Sequence, residues 1–136
     1  FSDADEDTMI IFFGDHQPTN SVVSNIWKLN GKNGSALSAD DEACRYKVPY
    51  FIWCNFEIET ETGADTSSNF LAAKLLETAG IPMTAYENYL MELSKDYPVI
   101  TSIRTENAQG QSTDTANVMD GLNDYAILQY DCIFGK

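Results

Sequence analysis

Three observations predict an α/β fold: a fragment of a mostly parallel sheet flanked by helices. Residues 8–13, Thr-Met-Ile-Ile-Phe-Phe, form an apolar run with β-branched and aromatic members and no polar alternation. Such a run suits a strand buried on both faces of a parallel sheet. Residues 48–56 form a second, aromatic-rich run with Pro49 near its start, where a missing ladder donor is tolerated. Further on, two segments place apolar residues at helical spacing behind capping side chains. The 136 residues, 43% hydrophobic with seven Phe, seven Tyr and two Trp, are enough for one core, and the chain reads as a single unit over 1–136.

In chain order, Asp3, Asp5, Glu6 and Asp7 offer nothing to bury and form a solvated lead-in. The first strand then delivers Gly14-Asp15-His16 to its end, and in open parallel sheets ligands bind outside the carboxyl ends of strands. Gly14 permits a sharp bend or a close backbone approach, and Pro18 stops the strand. A helix capped by Thr19 or Asn20 carries Val22, Val23, Ile26, Trp27 and Leu29 and ends at Asn30-Gly31. Residues 31–41 read as a mobile loop, followed by a helical turn through Glu42, Ala43 and Cys44 started by Ser38 with Asp41 or by Asp40 with Ala43. The second strand should neighbour the first, and Glu57, Glu59 and Glu61 alternate in an exposed excursion.

Asp65, Thr66, Ser67 and Ser68 supply caps for a helix through Phe70, Leu71, Leu75, Leu76 and Ala79, closed by Gly80 and Pro82. Thr84 with Glu87 forms a capping box for the next helix, whose Tyr86, Tyr89, Leu90, Leu93 and Tyr97 share a face. At that spacing the tyrosines read as core rather than as a stacking platform. Residues 99–103 suit a short strand and residues 105–117 an irregular stretch. Met119, Leu122, Tyr125, Ala126, Ile127, Leu128, Tyr130 and Ile133 suit a mostly buried terminal helix.

Twenty-one acidic against eight basic residues give a net charge of -13, which repels phosphate backbones, so nucleic acid is excluded as a partner class. No apolar run approaches the roughly 18–20 residues of a transmembrane helix, and the opening residues do not form a signal peptide. A chain that opens beside a central strand, with nothing before it to pair or cover that strand, points to missing upstream sequence. Cys44, Cys54 and Cys132 have no metal-type spacing and read as mostly buried small apolar residues, with a Cys44-Cys54 bridge as the alternative.

Asp15 offers a hard oxygen and His16, the sole histidine, a borderline nitrogen, a combination that suits zinc or manganese better than calcium. From the residues alone the pair is either two metal ligands or a turn residue beside a hydrogen-bonded histidine, since a catalytic zinc takes about three protein ligands. No Gly-x-Ser-x-Gly elbow is present, which disfavours serine-hydrolase chemistry.

The order of these motifs carries a resemblance. Met9-Ile10-Ile11-Phe12-Phe13-Gly14-Asp15-His16-Gln17-Pro18, then Val48-Pro49-Tyr50-Phe51-Ile52-Trp53-Cys54-Asn55, then Ser67-Ser68-Asn69-Phe70-Leu71, then Leu122-Asn123-Asp124-Tyr125 resembles the carboxyl-terminal part of the sulfatase-like domain of the lipoteichoic acid synthase family, within the alkaline phosphatase superfamily. The resemblance implies a partial alkaline-phosphatase-like fold and a metal-dependent phosphoglycerol transferase of cell-envelope polymer synthesis. It also implies Asp15 and His16 as two ligands of a manganese or zinc ion, and a glycerol phosphate donor derived from phospholipid. The implied location is the extracellular face of a bacterial membrane. The family's nucleophilic threonine and ligand glutamate lie upstream of the matched motifs, so no catalytic residue is assigned here and the chain alone is expected to be inactive. A sulfatase, phosphodiesterase or phosphoethanolamine transferase relative is the same-class alternative, and a non-catalytic cell-surface binding module the rival. An exposed sheet edge would favour self-association.

Overall fold

A computed structural model describes residues 5–135, which form two compact units, residues 5–56 and 57–135. In the first unit, strand β1 (Met9–Phe13) pairs with β2 (Tyr50–Cys54) in antiparallel register, from Met9 opposite Cys54 to Phe13 opposite Tyr50. The ladder continues at both ends. The Gly14 amide donates to the Pro49 carbonyl at 3.1 Å, the Asn55 amide to the Thr8 carbonyl at 3.1 Å, and the Thr8 amide to Asn55 Oδ1 at 2.7 Å. Phe12 and Phe51, directly opposite in the register, stack with centroids 4.8 Å apart, the kind of cross-strand pair that stabilises a sheet locally.

The connection holds helices α1 (Asn20–Leu29) and α2 (Ala39–Cys44). Gly31, at φ 70°, turns the chain out of α1, and the Lys32 amide returns to the Trp27 carbonyl. The Arg45 guanidinium lies 5.5 Å from the centre of the Trp27 ring, within cation–π range. Ser38 caps α2 by accepting from the Asp41 amide, and Lys32 pairs with the Asp41 carboxylate. Of the two starts the sequence allowed, the Ser38 one forms.

The second unit holds the buried core. A single 3-10 turn (Ser68–Phe70) leads into α3 (Leu71–Thr78), and α4 (Ala85–Asp96) follows with the expected Thr84–Glu87 capping box. Phe70, Ala73, Leu90 and Tyr125 form the centre, with Met83, Tyr86, Tyr89, Leu93 and Ile100 packed against it. Tyr86 and Tyr89 thus pack against the core, as their spacing predicts, while Tyr97 does not join that cluster. The Tyr125 hydroxyl accepts from the Asn69 and Gln129 amides at 2.6 Å each. Burial raises its phenol above the ordinary value, and those two donors oppose the shift.

Strands β3 (Val99–Ile100), β4 (Arg104–Glu106) and β5 (Ser112–Asp114) form a small antiparallel sheet. The chain then passes through short 3-10 turns into α5 (Asn123–Phe134). A buried hydroxyl network fixes this sheet. The Thr105 and Thr115 hydroxyls are 2.9 Å apart, and Thr115 donates to the Thr101 carbonyl at 2.9 Å. Ser67 Oγ accepts from the Ile100 amide at 2.6 Å and is 3.0 Å from its carbonyl, satisfying both backbone groups of one residue.

Several expectations are corrected. The sheet is not mostly parallel, since both sheets among the described residues are antiparallel. The apolar run misled because Phe12, Phe13 and Phe51 are half-exposed, with Phe12 and Phe51 stacked on each other rather than buried under two covered faces. Residues 105–117 are not irregular, because polar Thr and Ser side chains form a hairpin that apolar alternation does not reveal. Helix α5 is not mostly buried: Tyr125 is its buried residue, while Ile127, Tyr130, Ile133 and Phe134 are exposed. Cys44 and Cys132 lie exposed at helical surface positions, Cys54 is half-buried, and all three are free. Ser67 bonds Ile100 instead of capping the following turn. Of the lead-in acids, Asp3 lies outside the described residues, while Asp5, Glu6 and Asp7 are exposed as expected.

Candidate functional site

The site is built at the end of β1, where Gly14 separates the ladder from a turn. A Cβ at Gly14 would lie 2.9 Å from the Val48 Cβ, so close approach is what requires glycine here. Beyond it the Asp15 carboxylate folds back, Oδ1 accepting from the His16 amide at 2.8 Å. The Gln17 side-chain amide donates to the Lys47 carbonyl and ties the turn to the chain entering β2. Asp15 and His16 are brought together and exposed, with 83% and 76% of their side-chain surfaces accessible.

His16 Nδ1 lies 3.0 Å from the Gln17 carbonyl oxygen, and Nε2 lies 3.3 Å from Asp15 Oδ2. A carbonyl oxygen only accepts, so the hydrogen bond at Nδ1 requires its proton there. In the neutral ring Nε2 then presents a lone pair to a carboxylate oxygen. With its proton on Nδ1, the ring leaves the Nε2 lone pair and Asp15 Oδ2 side by side, where they could act as two ligands of one ion. Two donors each about 2.1 Å from a tetrahedral zinc lie about 3.4 Å apart, so the 3.3 Å spacing fits a shared ion. The Nδ1 contact orients the ring and sets its tautomer, as a backbone carbonyl does for histidines in metal sites generally.

Among the described residues no group of three or more His, Cys, Asp and Glu side chains is placed to hold a metal ion. Glu61, from the acidic excursion, pairs with Lys74 at 2.7 Å, a surface interaction. The Gln17–Lys47 tie and the Val48 gauge on Gly14 went unread in the sequence. Both depend on the strand register, which no local motif encodes.

Comparison with known proteins follows the same residues. The sequence profile of the Sulfatase family matches residues 1–81, which include the Asp15-His16 turn and both strands of the first unit. A Rhizobium meliloti (strain 1021) protein named for cyclic beta-1,2-glucan modification is 28% identical over 140 residues, covering 97% of this chain and 22% of its own length. The chain therefore spans about a fifth of that relative. No solved structure matches it. No helix among the described residues is long and apolar enough to cross a membrane.

Proposed function

The chain belongs to the sulfatase family, and we propose that it supplies two metal ligands, Asp15 and His16, to a group-transfer site that moves glycerol phosphate onto a saccharide acceptor of the cell envelope. The observation that carries this reading is the 3.3 Å Nε2–Oδ2 separation, with the imidazole oriented by the Gln17 carbonyl, inside the segment the family profile matches. The phosphoglycerol part rests on the resemblance of the motif order to the lipoteichoic acid synthase family. The saccharide acceptor is supported by the printed name of the Rhizobium relative.

Zinc or manganese suits one carboxylate oxygen and one imidazole nitrogen. When bound, such an ion offsets negative charge on a phosphoryl or sulfuryl group. The chain's own residues do the positioning. Gly14 brings the backbone against Val48, Gln17 anchors the turn, and the Gln17 carbonyl holds the Nδ1 proton so that Nε2 remains a donor. Two ligands fall short of the roughly three a catalytic zinc takes from protein, so the remaining donors and the nucleophile are assigned to sequence outside this chain.

The 136-residue chain itself tests this. Zn2+ should shift the His16 ring resonances, and Asp15→Ala should abolish that response, while bis-nitrophenyl phosphate stays unhydrolysed at every metal concentration. Ring resonances indifferent to Zn2+ would overturn the ligand assignment. Metal-dependent hydrolysis lost in Asp15→Ala would overturn the incomplete-site reading.

A further inference from the structure

We propose that a recess of the second unit, between the carboxyl end of α4 and the β4–β5 hairpin, binds a neutral saccharide segment. The recess measures about 410 Å3 and is lined by Asp96, Tyr97, Gln109, Ser112 and Val118, among others. It lies outside the segment matched by the family profile and inside the part shared with the glucan-modification relative. The proposal rests on the saccharide-acceptor part of the reading above and gives that acceptor a place.

The chemistry of the lining selects the ligand class. Tyr97 supplies an aromatic surface, and the apolar C–H face of a sugar ring packs against such a surface while its hydroxyls remain free to bond. The Asp96 carboxylate, the Gln109 amide, the Ser112 hydroxyl and the Tyr97 hydroxyl make no side-chain hydrogen bond among the described residues, so acceptors and donors are both available. Asn107 and Gln111 are instead spent on the hairpin: Asn107 Oδ1 accepts from the Gln109 and Gln111 amides at 3.1 and 2.9 Å, and its Nδ2 donates to Gln111 Oε1 at 3.0 Å. That turn is therefore already shaped. No Lys or Arg lines the recess, while Asp96 does, which disfavours phosphate and other anions. A few polar groups around an aromatic wall, without a cation, match a polyhydroxylated neutral ligand.

The test is a 1H–15N NMR titration of the whole chain with a linear β-1,2-linked glucose oligosaccharide, with inorganic phosphate and an α-1,6-linked oligosaccharide as comparators. The glucan should shift the amides of residues 96–97 and 107–113. Gln109→Ala, at an exposed turn position, and Tyr97→Ala should each weaken binding about tenfold or more, which corresponds to about 1.4 kcal/mol. Asp15→Ala should leave it unchanged, so loss of metal binding and loss of sugar binding are separate outcomes. No shift at millimolar oligosaccharide, equal shifts in Gln109→Ala, or a stronger response to phosphate would each overturn the proposal.

Discussion

The two units are held together in different ways. Residues 57–135 contain every fully buried side chain among the described residues, from Phe70 and Ala73 to Thr105 and Leu122. Residues 5–56 contain none, yet they carry Asp15 and His16. The first unit is held by a five-residue ladder, one stacked aromatic pair and a cation–π contact. A two-stranded ladder of that kind is marginal on its own. The Asp15-His16 turn thus stands on a scaffold fixed by backbone register, whereas the second unit is fixed by packing.

Substitutions should expose this contrast unequally. The largest effect is expected from Phe70→Ala, which empties the core centre and should cost about 3–5 kcal/mol, read as a lowered urea midpoint with loss of amide protection in α3 and α4. A protein that tolerates it would break the distinction. Next, Ser67→Ala leaves the Ile100 amide and carbonyl without their shared hydroxyl partner and should cost about 1–3 kcal/mol, with faster exchange at Ile100. Smallest, Asp15→Ala in the exposed turn should leave the thermal melting curve unchanged. A clear loss of melting temperature there would show that the turn holds the first unit together.

Legibility in the sequence follows the same division. The Thr84–Glu87 box, the Tyr86–Tyr89–Leu90 face and the end of α1 at Asn30-Gly31 were readable, because capping and helical periodicity are local signals, whereas Thr19 makes no side-chain cap at the start of α1. The Asp-His turn after an apolar strand was readable for the same reason. Strand direction was not: Met9–Phe13 has the composition of a doubly covered strand, and only its pairing with Tyr50–Cys54 shows an antiparallel ladder with exposed phenylalanines. The β4–β5 hairpin was invisible because Thr105 and Thr115 are buried through hydroxyl partners, and hydropathy scores them as surface. Tyr97 shared its helical face with core tyrosines, so its place in the recess wall was masked.

At Gly14 the space between the backbone and the Val48 side chain is gauged by a hydrogen atom, since a methyl group would sit 2.9 Å from the Val48 Cβ. The consequence concerns how such a domain could fall silent over time. A descendant that replaced Asp15 or His16 would keep its ladder and visibly lack the proposed ligand pair. One that replaced Gly14 would keep both side chains and aim them elsewhere. Inventories of Asp and His alone would count the second as intact, so position 14 belongs in any survey of the proposed ligand pair.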